Sequence, residues 1–196
     1  EDGIRDYKVT GVQTCALPIC SFKRAIRTLG QNMPSGSLII VETTVPPGTT
    51  VNVVAPTLAS CLQGRGLPHD AIHVAHSYER VMPDPHYFDS IAKYWRAFAG
   101  MNSASAAACS TFLETIVDVS NFPLTELSSP TSSETAKILE NSYRAVNIAL
   151  MDEWGHFAEA IGVDLFEVVQ AIRVRPTHSN MRQPGLGDRK STRLNS

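Results

Sequence analysis

"SSETAKILENSYRAVNIALMDEWGHFAEAIG" fills residues 132–162 and is the most periodic stretch of the chain. Thr131 or Ser133 can cap its start, Glu134 falls in its first turn, and Gly162 stands where a helix end favours glycine. A helical advance of roughly 100° per residue puts Leu139, Tyr143, Val146, Leu150 and Phe157 on one side. Lys137, Asn141 and Arg144 then cluster on the opposite side. At a rise of about 1.5 Å per residue the helix runs roughly 45 Å, too long to cover one small sheet. Such a helix suits a connection between two domains or a subunit interface.

Upstream, short apolar runs alternate with helical patterns. "SFKRAIRTLG" (21–30) has apolar residues at helical spacing and closes on glycine. "GSLIIVETTVPPGTT" (36–50) is a β-branched run ending in threonine and proline, the pattern of a buried strand feeding a loop. "TTVNVVAPTLASCLQGRG" (49–66) predicts a helix with a threonine cap. "AIHVAHS" (71–77), "KYWRAFAG" (93–100) and "FPLTEL" (122–127) read as strands, and "SASAAACSTFLETIVDV" (103–119) as a helix. The alternation argues for an α/β layer built on a parallel sheet. Downstream, "DLFEVVQAIRV" (164–174) predicts a further helix after Asp164.

Composition narrows the functional classes. The 196 residues are 43% hydrophobic and 18% charged, enough for a real core. A formal net charge of −2 gives no electrostatic reason to expect nucleic acid or an anionic membrane as partner. No apolar run approaches the roughly 18 residues needed to span a bilayer. Cys15, Cys20, Cys61 and Cys109 have neither CxxC nor Cys/His spacing, so neither a metal site nor a disulfide framework is expected, and Cys61 and Cys109 read as buried or half-buried free thiols.

The two ends look foreign to the rest. "DRKSTRLNS" (188–196) matches the translation of a common sequencing-library adapter, and "VTGVQTCALPI" (9–19) resembles that of the opposite-sense adapter. "EDGIRD" (1–6) fits the far end of the same oligonucleotide. The expectation is that residues 1–20 and 188–196 are adapter-derived, with Cys20 at the junction, and that 21–187 is the natural segment.

Taken singly, the polar groups are unspecific. Lys137, Asn141 and Arg144 suit a solvated helix face, with Glu140 and Arg144 as an i,i+4 pair. Thr44, ahead of two prolines, suits a turn, and Glu79 suits a loop carboxylate beside Arg80. "VRPTHSNMRQPGLG" (174–187) suits a basic surface loop or contact with a phosphate or sugar.

Their order is more informative. "VETTVPPGTT", "HSYERVMPD", the long helical stretch with its "AK-x-x-EN-x-x-R-x-x-NIA" pattern, and "RVRPTHSNMRQPGLG" together resemble the nucleotide-sugar 6-dehydrogenase family across essentially all of 21–187. The resemblance implies residues 21–130 as the second half of a Rossmann-like NAD-binding domain. It implies 131–187 as a central helical domain for dimerisation and substrate. It further implies a cytoplasmic enzyme of polysaccharide biosynthesis that oxidises the C6 alcohol of a UDP-sugar to the carboxylate in two NAD-dependent steps, through a cysteine-bound thioester. By motif, Thr44 and Glu79 would position and activate the hydrolytic water, and Lys137 and Asn141 would stabilise the oxyanion. Arg144, Arg175, His178, Asn180, Gly185 and Gly187 would lie near the nucleotide sugar. Thr44, Val45 and Pro46 would border the nicotinamide, and the whole protein would be a homodimer.

Tyr78 departs from the family, where proline often precedes the glutamate. No G-x-G-x-x-G turn is present, and no glycine-rich segment with a cysteine follows Gly187. The chain by itself is therefore expected to be inactive. Two rivals remain at this level. One is a 6-phosphogluconate or hydroxyisobutyrate type of dehydrogenase, and the other a non-catalytic helical interaction protein.

Overall fold

The computed structural model describes residues 18–81 and 87–185. The expected foreign tails, except for residues 18–20, lie outside those residues, as do Cys15 and Gly187. The chain divides into two compact units, Glu1–Lys137 and Ile138–Ser196.

In the first unit, α1 (Pro18–Asn32) leads to β1 (Leu38–Val41). A π-type turn (Thr50–Val54) then runs directly into α2 (Ala55–Gly64). β2 (His73–His76), α3 (Tyr87–Ala92), β3 (Ala97–Gly100), α4 (Ser103–Glu114) and β4 (Thr125–Glu126) follow. The helix α5 (Pro130–Ile161) then begins. The sheet has the order β1-β2-β3-β4.

Strand alternation sends side chains to two faces, and each is covered by helix. Ile39, Val41 and Val74 pack with Ile26 of α1 and with Leu58 and Leu62 of α2. Ala75 and Phe98 pack with Ala106, Cys109 and Leu113 of α4, and Leu38 and Ile40 border that cluster. Runs such as "LIIV" are apolar at every position because both faces are occupied. α4 lies so close to the end of β3 that a Cβ on Gly100 would sit 2.2 Å from the Ala106 nitrogen. Among the described residues Cys61 and Cys109 are free thiols, and no helix is long and apolar enough to cross a membrane.

The expected α/β layer is present, with two parallel pairings, and one antiparallel pairing makes the sheet mixed. β1 and β2 are parallel, with Leu38 opposite His73 and Val41 opposite His76. β3 runs antiparallel to β2, pairing His76 with Ala99, and β4 is parallel to β3. A parallel return needs a crossover to the far end of the sheet. Among the described residues the connection from β2 holds the six-residue α3, and β3 turns back beside the end of β2.

Two expected caps also differ. α5 starts at Pro130, with the Ser129 hydroxyl accepting from the Ser132 amide at 3.1 Å, so Ser129 does the work expected of Thr131 or Ser133. Thr49 precedes the π-type turn but makes no side-chain cap, because its hydroxyl donates back to the Pro46 carbonyl at 2.6 Å.

The second unit holds the remainder of α5, then α6 (Leu165–Arg173) and a 3-10 turn (Pro176–His178). α5 ends as expected at Gly162, which has φ 70°. The Val163 amide bonds back to the Ala158 carbonyl and the Gly162 amide to that of Glu159, a Schellman arrangement. Asp164 caps α6 by accepting from the Phe166 amide at 2.8 Å. Met151, Ala158 and Val169 are buried here. Leu139, Tyr143, Val146, Leu150 and Phe157 are exposed, Tyr143 by 73%.

Candidate active site

Parallel neighbours finish at the same end of a sheet, so the loops leaving β1 and β2 emerge side by side next to the Val41–His76 pair. In α/β sheets that end is where ligands bind. The β1 loop exposes Thr44 and Pro46 while burying Val45. It turns at Gly48, whose φ of 88° excludes most side chains, and a Cβ there would meet the Asn52 amide nitrogen at 2.7 Å. The β2 end contributes His76, Ser77, Tyr78 and Glu79, the first three buried.

The first turns of α5 bind both loops. Lys137, 8% exposed, donates from Nζ to the Glu79 carbonyl at 2.8 Å. Its ammonium also sits 5.6 Å from the Tyr78 ring centre, within cation–π range. The Arg80 guanidinium lies 5.2 Å from that ring and donates to the Tyr78 hydroxyl at 3.0 Å. Arg80 also bonds the Trp95 carbonyl at 2.9 Å. Tyr78, unusual in sequence, is thus a buried ring flanked by two cations. The Glu79 carboxylate accepts from the Val81 amide at 2.6 Å, an Asx-like local closure that aims the loop. Glu79 also borders a cavity of about 540 Å³, together with Glu42, Val81, Tyr87 and Arg96. Arg96 and Glu42 form an ion pair at 2.5 Å across this cavity's wall.

A second set of contacts lies one turn earlier on α5. Glu134, 1% exposed, accepts from the Gly48 amide at 2.5 Å, the Thr50 amide at 2.7 Å and the Thr50 hydroxyl at 2.6 Å. Ser133 is fully buried, and its hydroxyl is 2.8 Å from His76 Nδ1. His76 Nε2 is buried with no hydrogen-bond partner. Burial lowers the His76 pKa from 6.5, against the opposing pull of Glu134 and of the Thr43 backbone. Cys109, under the sheet, has its thiol pushed up to about 12 by burial, so it behaves as core.

The expected site residues therefore fall into two sets. Thr44, Glu79 and Lys137 belong to the first unit, where Glu79 and Lys137 touch and Thr44 stands on the neighbouring loop. Asn141, Arg144, Arg175, His178, Asn180 and Gly185 belong to the second. There Arg144 donates to the Asn141 side-chain Oδ1 at 2.8 Å, and His178 Nδ1 lies 2.8 Å from the Thr177 hydroxyl. Arg175, Asn180 and Gly185 are exposed. Lys137 corrects the solvated-face reading, because it is 8% exposed and bonded to the loop after β2. Glu134 was read only as a first-turn charge. Its sequence signal is its place in the stripe 134, 137, 141, 144, whose three- and four-residue steps trace one helix face.

Thr44, exposed beside buried Val45 at the carboxyl end of β1, fits one wall of a nicotinamide site. The described residues contain no glycine-rich pyrophosphate turn.

Residues 131–189 match the UDP-glucose/GDP-mannose dehydrogenase family, central domain. The UDP-N-acetyl-D-mannosamine dehydrogenase of Pyrococcus horikoshii is 33% identical over 165 residues, 84% of this chain and 37% of that protein. An NDP-N-acetyl-D-galactosaminuronic acid dehydrogenase of Ralstonia nicotianae is 28% identical over 168 residues, 83% of this chain and 38% of its own length. The chain thus spans a little over a third of these curated relatives. The solved UDP-D-ManNAc dehydrogenase of Pyrococcus horikoshii superposes with a TM-score of 0.71 at 31% identity, over 86% of this chain and 38% of that one. The long-helix signature, the two-loop frame around it and these relatives agree, and the chain belongs to the nucleotide-sugar dehydrogenase family.

Proposed function

We propose that these residues form part of an NAD-dependent dehydrogenase that oxidises the C6 alcohol of a UDP-sugar to the carboxylate. The observation that carries this reading is the Lys137–Glu79 contact, which joins a helix to a loop 58 residues away in sequence. It fixes a cation against the backbone of Glu79, a residue that also borders a cavity. Lys137 stabilises negative charge developing on the C6 oxygen, with Asn141 one helical turn further on adding a neutral donor. Glu79 and Thr44 orient and deprotonate the water that releases the acid from its thioester. NAD, when bound, supplies the hydride acceptor, and Thr44, Val45 and Pro46 border it. Arg144, Arg175, His178, Asn180, Gly185 and Gly187 belong with recognition of the nucleotide sugar, whose anionic and hydroxyl groups they complement. The exposed apolar residues of α5 form the contact between two copies of the whole protein.

The test is turnover by the whole dehydrogenase that carries these residues. UDP-N-acetyl-D-mannosamine and UDP-glucose are the first substrates to assay, alongside 6-phosphogluconate as a competitor. Two reduced nicotinamides per UDP-sugar are expected, and the 196 residues alone are expected to be silent. Oxidation of the phosphogluconate instead, or unchanged turnover in both Lys137→Ala and Asn141→Ala, would overturn the reading.

A further inference from the structure

Glu134 is a buried carboxylate with a different task from those named so far. Three donors converge on it, and all belong to the stretch that joins the Thr44 loop to the helix beginning at Thr50. Those contacts bridge 84 to 86 residues of sequence. They also leave α5 only one turn before Lys137, whose ammonium grips the other loop. The next residue back, Ser133, holds His76 at the end of β2. One stretch of α5 thus fixes the β1 loop through Glu134, the β2 end through Ser133 and the β2 loop through Lys137. Gly48 itself sits at a φ of 88°, a conformation that favours glycine.

We infer that Glu134 is a positioning residue for the dehydrogenase reaction: it locks the Thr44 loop to the helix that carries Lys137 and so fixes the placement of both groups. The inference deepens the proposed function and rests on it. A glutamine here presents an amide donor to one of two backbone donors, so Glu134→Gln cannot satisfy Gly48 and Thr50 together. An aspartate is one methylene too short to reach both. Thr50→Val removes only the hydroxyl contact and keeps both backbone bonds, so it perturbs the clamp without stripping it.

Two measurements separate the clamp from the chemistry. Amide hydrogen exchange on the 196-residue chain should show Gly48 and Thr50 exchanging at least about ten-fold faster in Glu134→Gln, with Ile39–Val41 unchanged. Unaltered exchange at Gly48 and Thr50 would overturn the clamp. In the whole dehydrogenase, Glu134→Gln should lower kcat by roughly a hundred-fold through misplacement of Thr44, with KM for the UDP-sugar within about two-fold. Thr50→Val should give a smaller drop of the same kind, and Glu134→Asp should not restore the rate. A raised KM with unchanged kcat, or loss of rate only in step with lost thermal stability, would make Glu134 merely structural. If the wild-type enzyme oxidises no UDP-sugar, the dehydrogenase reading fails, while the exchange result still decides the clamp.

Discussion

Two sides of α5 exchange the roles that their polarity suggests. Ser133, Glu134 and Lys137 are polar and buried, whereas Leu139, Tyr143, Val146, Leu150 and Phe157 are apolar and exposed. Burial of hydroxyl, carboxylate and ammonium is costly unless each is bonded, and each here has a partner on a strand end or loop. Exposure of a contiguous apolar stripe is equally unusual for a surface that stays wet. Helix polarity alone therefore misleads on both sides. The polar side is held inside because loops from two parallel strands supply its partners, and the apolar side is available for another surface.

The sharpest way to break this contrast is to remove its buried cation. Lys137→Ala in the whole dehydrogenase should reduce kcat roughly 10²- to 10³-fold, read from nicotinamide absorbance, with the long helix intact by circular dichroism. Retained turnover would return the polar side to an ordinary solvated face. The apolar side is probed by Tyr143→Asp combined with Val146→Asp. Sedimentation velocity should show self-association of the whole protein weakened roughly thirty-fold or more. An unchanged oligomer would move the contact to another surface.

How much of this was legible beforehand follows from the range of each interaction. The end of α5 at Gly162, the Asp164 cap and the apolar strands rest on residues within a few positions of one another, and they read directly from the sequence. Thr44, Glu79, Lys137 and Asn141 were grouped through family motifs and not through spacing, and Lys137 bonds the Glu79 carbonyl. The direction of β3 and the burial of Lys137 depend on where distant chain segments return. The anchoring of Gly48 and Thr50 by Glu134 does too, since a carboxylate 84 residues away leaves no local trace beyond its place on the helix stripe. Tyr78 looked like a subgroup departure, and only its two cationic neighbours explain an aromatic ring at that position.

Smaller effects sharpen the buried side further. Ser133→Ala leaves His76 Nδ1 enclosed without its hydroxyl partner and should cost about 1–2 kcal/mol in denaturant unfolding. A shift below a few tenths would mean that the imidazole finds a substitute. The gentlest probe is pH. His76 has a lower pKa folded than the 6.5 of the free side chain, so below pH 6.5 the unfolded chain takes up a proton that the folded one declines. Stability contributed by neutral His76 is present above 6.5 and falls as pH drops toward the folded value. His76→Asn should flatten that slope, and an identical slope in both proteins would assign it to other groups.

The seat taken by Glu134 has a further effect on what the protein can hold. A helix start with free amides and a positive dipole end is a ready receptor for phosphate. At Gly48 and Thr50 that receptor is already filled by an anion from the protein's own chain. Sulfate, phosphate or a pyrophosphate bridge finds no vacancy there, even though the turn follows the carboxyl end of β1. Any nucleotide phosphate held by the proposed dehydrogenase is gripped elsewhere, and the internal carboxylate acts as a permanent occupant that keeps this turn from competing for it.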